Sequence, residues 1–389
     1  MAVDFEPPLP PASRPFLEFR ALLRAPGIAS DSRKLILATL GLIAMQAGWF
    51  ALGYRFGGPN RLPGSSVTFE RLLVIDGPID LSVGGLSNAA REVASPFWTL
   101  TRTFASMFTV GRGLGGWAQS VLMALWAAIV WGIAGGAIAR IAVVEAATGS
   151  RPGLRTALRF ALGKAASLVG APLTPMLAVA VLAGGCAAFG LLYRLPGWFG
   201  AVVATALGFV PLLLGLVMAL ILIGLALGWP LMHATIAAEG EDAPDALSRS
   251  YSYVNQRLVR YGVHAALAWL IGALGWLAVV VFAWVVLSLA EWGVSLGAPD
   301  FEQRDEVAVW GRLFWSKFVG LLMTAWAYSY FWSSSSILYL ILRRDVDGTD
   351  WHDVYLPEQD ADTFAGEPAS ASTDNQEIKE SAKAATAAP

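Results

Sequence analysis

Residues 195–232 read LPGWFGAVVATALGFVPLLLGLVMALILIGLALGWPLM, a stretch without one Asp, Glu, Lys, Arg or His. Five more runs share that property: 35–54, 113–139, 165–193, 265–290 and 318–342. A spanning helix needs roughly 20 predominantly apolar residues, because the hydrocarbon core is about 30 Å thick and a helix rises about 1.5 Å per residue. All six runs are long enough. The expectation is an all-α, polytopic membrane protein with about six transmembrane helices.

Composition agrees. Hydrophobic residues make up 56% of the 389-residue chain and charged ones 14%, well below the roughly 25% of a soluble domain. Cys186 is the only cysteine and lies inside the third run. That excludes an intramolecular disulfide and a cysteine-based zinc cluster, and leaves a small packing residue. The first run follows more than thirty polar and semi-polar residues and ends at Gly53-Tyr54-Arg55 without a small-x-small cleavage pattern, so it reads as an uncleaved span.

Basic residues orient the bundle, because short Lys/Arg-rich loops stay in the cytoplasm. With the N-terminus inside, one side holds fifteen: Arg14, Arg20, Arg24, Arg33, Lys34, Arg140, Arg151, Arg155, Arg159, Lys164, Arg249, Arg257, Arg260, Arg343 and Arg344. The other holds ten, six of them in the long segment 56–115. Both termini are therefore expected in the cytoplasm, and the membrane is expected to be the bacterial inner (plasma) membrane. An even number of spans is needed to keep Arg343 and Arg344 inside. The run 195–232 is long and holds Pro196, Gly197, Gly200 and Pro211, so it is either one span or a short re-entrant or interfacial piece followed by one.

Three regions follow: 1–33, a cytoplasmic N-terminal segment; 34–344, the transmembrane domain with its external segment 56–115; and 345–389, an acidic tail. Phe16, Phe19 and Leu23, behind a Ser13 cap and Pro15, predict an amphipathic N-terminal helix. In the external segment Asp76-Gly77-Pro78 separates two short apolar stretches, Phe69 to Ile75 and Ile79 to Val83, as in a small hairpin. Beyond it, Phe97, Leu100, Phe104 and Phe108 fall on one helical stripe. From Asp345 onward eleven acids face two lysines, which argues against nucleic-acid binding. From about residue 356 the composition is that of a disordered tail.

The two internal cytoplasmic loops echo each other. Ile141-Ala142-Val143-Val144-Glu145, Pro152 and Ala157-Leu158-Arg159 in one answer Ile236-Ala237-Ala238-Glu239, Pro244 and Ala246-Leu247-Ser248-Arg249 in the other. Each continues as an amphipathic helix, with stripes Leu154, Leu158, Leu162, Ala165 and Leu247, Tyr251, Val254, Leu258. A duplication is one source of such an echo; two surface helices obeying the same physics are the other.

The stretch Glu239 to Tyr251, with Asp245-Ala246-Leu247-Ser248-Arg249-Ser250-Tyr251 between two spans, resembles the loop pattern of the membrane domain attached to some bacterial glycerophosphodiester phosphodiesterases and of related polytopic inner-membrane proteins. The resemblance covers the region from the second span to the sixth. The soluble phosphodiesterase domain of that family has no counterpart in this chain, so the resemblance does not imply its catalytic activity.

Candidate chemistry is sparse, because the usual proton relays, carboxylate sodium sites and voltage sensors need ionisable residues that these runs lack. His233 and His264, at the cytoplasmic ends of successive runs, could meet near Glu239 as metal ligands, but without close ligand spacing they read better as interfacial hydrogen-bonding residues. Asp345-Val346-Asp347-Gly348-Thr349-Asp350 places its glycine too early for a calcium loop and reads as a turn ending the last helix. Ser333 to Ser336 suit helix packing better than a polar pore. Gly132-x-x-x-Gly136 and Gly224-x-x-x-Gly228 allow close helix contacts, within the bundle or in a homo-oligomer. Trp117, Trp198, Trp229, Trp292 and Trp315 sit at run ends, as interfacial anchors do; Trp269, Trp276 and Trp284 form one stripe along the fifth run.

No catalytic, cofactor-binding or metal-ligating set is expected. The favoured function is a non-catalytic membrane module with a scaffold, assembly or regulatory role, its partners the lipid bilayer and other proteins. The alternative is a transporter or lipid-handling protein working through neutral polar groups. A membrane enzyme comes third, with Asp76, Asp80, Glu92, Glu145 and Glu239 as candidates only by elimination.

Overall fold

A computed structural model describes residues 14–56, 82–109, 113–195, 198–298 and 306–356. The chain divides into Met1–Asp353 and Val354–Pro389; of the second unit only residues 354–356 are described. The expected hairpin before Val83 and the acidic tail lie almost wholly outside the described residues, as do Asp76 and Asp80.

Among the described residues there is no strand. The helices are α1 (Arg14–Leu23), α2 (Ala25–Ala29), α3 (Ser32–Phe56), α4 (Val83–Ala105), α5 (Leu114–Thr148), α6 (Leu154–Gly163), α7 (Ala165–Gly190), α8 (Trp198–Ala206), α9 (Phe209–Glu239), α10 (Ala243–Gln256), α11 (Leu258–Gly297) and α12 (Glu306–Asp347). Five are long and apolar enough to cross a membrane: α3, α5, α9, α11, and α7 with the 3-10 turn that carries it to Arg194. The chain is an all-α, polytopic membrane protein.

The sixth run forms α12, a helix of 42 residues, about 63 Å at 1.5 Å per residue. It lacks the overall apolar character of the other five because protein, not lipid, surrounds its second half. Every residue from Ala325 to Arg343 is buried except Phe331, which is half-buried. It packs against α3, α4, α5, α9 and α11. Its aromatic rings fill the centre: Trp131 of α5 stacks on Tyr328 at 4.4 Å between centroids, and Trp326 on Tyr330 at 5.3 Å. By contrast α9 presents Leu212, Leu216, Leu220 and Ile223 outward, all more than half exposed, as a lipid-facing helix does.

The long run 195–232 resolves into two pieces, α8 and α9, broken at Leu207-Gly208 with Pro211 in the first turn of α9. Proline is tolerated there because the first amides of a helix have no carbonyl to reach.

The stripe Phe97, Leu100, Phe104 and Phe108 allows a helix on the membrane surface or one against the bundle, and α4 takes the second place. Leu100 is buried, Phe97 and Phe104 pack on the core and only Phe108, past the helix end, is exposed. Phe97 stacks on Trp229 of α9 at 5.9 Å, and the Trp269 indole of α11 donates to the Ala90 carbonyl at 2.7 Å. Trp229 is therefore a core residue and not an interfacial anchor, whereas Trp117, Trp198, Trp292 and Trp315 are all more than half exposed.

The amphipathic stripes of α1 and α6 also shift. Among the described side chains of α1, Glu18 and Leu22 are buried while Phe19 and Leu23 are about half exposed; Phe16 lies outside them. On α6 Ala157 and Ala161 face the bundle and Leu162 points outward; on α10 Ala246, Ser250, Tyr253 and Val254 are buried. The expected stripe of α10 faces inward, with Val254 buried and Leu247 and Tyr251 packed on the core, and only Leu258, past the helix end, is exposed.

The loop echo has a structural counterpart. α5 and α9 each end at a glycine in the left-handed region, Gly149 (φ 73°) and Gly240 (φ 67°), whose amides donate to Glu145 at 3.0 Å and Ile236 at 2.9 Å. Only glycine takes that conformation without a Cβ penalty. A short helix follows each cap, then a break at Lys164 or Arg257, then the next long helix.

Both Gly-x-x-x-Gly faces are filled within the chain. A Cβ on Gly132 would lie 2.8 Å from Val169, and one on Gly136 2.5 Å from Leu168, both on α7. A Cβ on Gly224 would lie 2.3 Å from the ring of Tyr251 on α10, and that ring is fixed by its hydroxyl donating to the Ile221 carbonyl at 2.9 Å. Gly224→Ala is expected to destabilise the protein by about 1–3 kcal/mol through overpacking, read as a lower thermal midpoint in detergent. Combined with Tyr251→Ala it should cost less than the two changes summed; strict additivity would show that the ring is not the obstacle.

Candidate functional site

Charge within the bundle gathers at one end, where α3 and α11 begin and α5, α9 and α12 finish. The helices run beyond their apolar runs there. Residues expected in cytoplasmic loops instead lie in helical turns: Lys34 in α3, Arg140 and Glu145 in α5, Glu239 in α9 and Arg343 in α12. All five have buried or nearly buried side chains.

The first cluster joins α3 to α5. Asp31 starts α3, its carboxylate accepting the Arg33 amide at 2.8 Å as an N-cap does. Three residues later Lys34 is fully buried, with its Nζ 2.7 Å from Glu145 Oε2. Glu145 Oε1 takes the Nε of Arg151 at 2.7 Å, and Arg33 donates to the carbonyls of Arg151 and Pro152 at 2.8 and 3.0 Å. Nearby, Arg140 donates to the Ala237 carbonyl of α9 at 2.7 Å and lies over the Phe160 ring of α6 at 4.6 Å.

The second cluster joins α9, α10 and α12. Glu239 pairs with Arg249 at 2.6 Å and with Arg343 at 3.3 Å, and accepts the hydroxyl of Tyr339. Arg249 also reaches Glu241 at 2.6 Å. Arg343 donates to the Asp353 carbonyl at 2.6 Å, holding the turn that follows the Gly348 cap of α12 (φ 69°). Asp345 to Asp350 thus ends the last helix, and Asp347 accepts from Tyr253 of α10.

The third cluster joins α1, α11 and α12. Arg260 bridges Glu18 and Asp345, both at 2.5 Å, and Arg257 adds a contact to Asp345 at 3.2 Å. His264 sets Nδ1 2.8 Å from the Arg260 carbonyl and Nε2 3.0 Å from Glu18. Both neighbours are acceptors, so a ring carrying protons on both nitrogens satisfies both. Burial alone would raise the Glu18 carboxyl pKa, but the His264 hydrogen bond and the Arg260 charge outweigh it and hold the group below its ordinary 4.5.

His233 and His264 do not form a common site. His233 is buried against Trp332, 4.6 Å between centroids, and Trp229, whereas His264 belongs to the Glu18 cluster and Glu239 to a third place. Among the described residues no group of three or more His, Cys, Asp and Glu is arranged to hold a metal. Ser334 and Ser335 both donate back to the Phe331 carbonyl, at 3.1 and 2.8 Å, and Ser336 to that of Trp332 at 2.8 Å. Glu92 on α4 is half-buried, and desolvation raises its pKa.

Sequence reasoning named Glu145 and Glu239 as catalytic candidates only by elimination, used Lys34 and Arg343 only to orient the chain, and gave no role to Glu18. The signal available was position: Lys34, Glu145, Glu239 and Arg343 each lie within a few residues of an apolar run, where a helix carries its charge into the bundle, whereas Glu18 carries no such sign.

Removing one partner of a buried pair strands the other. Lys34→Met and Glu145→Gln should each cost about 3–5 kcal/mol, and Lys34→Met with Glu145→Leu should lose less than either single change, in denaturant unfolding followed by tryptophan fluorescence. For Glu18, a lowered folded pKa means the stabilisation is present above 4.5 and is lost as pH falls through the folded value. Amide exchange over residues 18–24, corrected for its intrinsic pH dependence, should rise in that acid range, and Glu18→Gln should show the raised exchange at neutral pH. Compared with models of protein families, with curated proteins and with solved structures, the chain matches none.

Proposed function

We propose that the protein is a non-catalytic membrane module, with a scaffold, assembly or regulatory role, that meets its partners at the charged end of the bundle. One observation carries this reading: Glu145 and Glu239, candidates for catalysis by elimination, are spent on ion pairs with Lys34, Arg151, Arg249 and Arg343. A general base needs a free lone pair within reach of substrate, and these are committed to holding helices together. Around them Arg24, Arg155 and Arg159 are exposed, a basic rim suited to acidic partners or anionic headgroups. The resemblance of Glu239–Tyr251 to membrane domains that accompany phosphodiesterases fits an accessory module better than an enzyme.

The same reading assigns the inner (plasma) membrane of a bacterium, with both termini in the cytoplasm. Basic residues favour that side by fifteen to ten. Arg260 also ties Glu18 of α1 to Asp345 near the end of α12, so the first and last helices meet on one side, as an even number of crossings requires.

Photo-crosslinkers at Arg24, Arg155 and Arg159 should capture a defined protein in intact cells, and cytoplasmic reporters fused to the C-terminus should be active. Phosphodiester or ester hydrolysis by the purified protein, abolished by Glu145→Gln or Glu239→Gln at unchanged thermal midpoint, would replace the module with an enzyme.

A further inference from the structure

A crevice of about 490 Å³ lies between α4, α9, α11 and α12, within the range of small-ligand pockets. The helices α9 and α11, on either side of α10, barely touch each other. Its back wall is buried, with Leu231 and Tyr330 almost inaccessible, while Trp98, Leu258 and Trp269 around the mouth are each about half exposed.

We propose that this crevice binds the acyl chain of a membrane lipid, drawn from the leaflet at the charged end of the bundle. Apart from the indole of Trp98 at the exposed mouth, the side-chain polar groups in the wall are already committed. Tyr261 donates to Leu227 at 2.7 Å, Tyr330 to Ala268 at 2.5 Å, Ser334 and Ser335 to Phe331, and the Trp269 indole to Ala90. No charged side chain lines it. A polar ligand would give up its hydration for nothing in return, whereas a hydrocarbon chain gives up nothing.

Location selects among apolar occupants. Both α9 and α11 are membrane spans, and their outer faces present Leu220, Ile223, Leu270 and Leu274, all at least half exposed, so hydrocarbon surrounds the mouth. The lining begins at Leu258, one residue after Arg257 in the charged layer, which sets a headgroup at the polar end and the chain inward. This inference rests on the crevice alone and stands whether or not the protein is a module.

Gly262 lines the crevice and has nothing within 4 Å of an added Cβ, as does Gly215, which is not part of the lining. The protein is placed in phosphatidylcholine–phosphatidylglycerol nanodiscs containing a phospholipid with a mid-chain diazirine, irradiated and mapped by mass spectrometry. Adducts should concentrate on residues 93–98 and 258–269 and saturate with probe fraction, while those on 212–220 rise linearly. Gly262→Phe should lower crevice labelling on the order of tenfold, and Gly215→Phe should leave it unchanged. Linear labelling of the wild-type crevice overturns the proposal whatever the variants do. So does crevice labelling that persists in a folded Gly262→Phe protein, or a crosslink placing a second copy or another protein in the crevice.

Discussion

A lysine with no access to solvent constrains this structure more than any other group. Burying the Lys34 ammonium is tolerable only because Glu145 stands 2.7 Å away, and Glu145 is in turn held by Arg151. The pair adds little net stability over an apolar equivalent, since desolvating two charges offsets most of their attraction. Its effect is on register. Sliding α3 against α5 by one turn would separate the charges and strand both, so one of many apolar helix alignments becomes the low-energy one. The Glu239 and Glu18 clusters apply the same constraint to α9, α10 and α12, and to α1, α11 and α12.

Away from this charged end the bundle is held by shape. Glycines admit neighbouring side chains at close range, Gly136 to Leu168 and Gly224 to Tyr251, and lipid offers no hydrophobic drive to replace such contacts. Aromatic rings on α12 occupy the centre, where Tyr330 buries its ring and still donates to the Ala268 carbonyl, and Trp326 donates to the Ser30 hydroxyl. The polar hydroxyls of that helix therefore serve packing, and Ser329 ties it to the Ala29 carbonyl of α2 at 2.7 Å.

The spans were readable in the sequence because lack of charge is a property of a single stretch of chain. What surrounds each span was not. Nothing local distinguishes α9, which faces outward over most of its length, from α5, which is mostly buried. The one local sign was the polar and aromatic content of 318–342, which marks a helix packed in protein. The ion pairs were out of reach for a similar reason: Lys34 and Glu145 are 111 positions apart, and Glu18 and His264 are 246. The stripe misled on α1, where Glu18 pairs inward with Arg260 while Phe19 and Leu23 are about half exposed.

Helix α4 carries a further implication, about the order in which the molecule is built. It contains Arg91, Glu92 and Arg102 and falls short of a span, so it has no reason to enter hydrocarbon by itself. The surfaces that receive it, on α11 and α12, are synthesised more than 150 residues later. Until they exist, α4 has chiefly α5 to pack on, and Val93, which sits beside Gly272 of α11, has no place to be buried. Its docking is therefore a closing step of assembly, and the wall it contributes to the crevice is completed only when the rest of the bundle is in place.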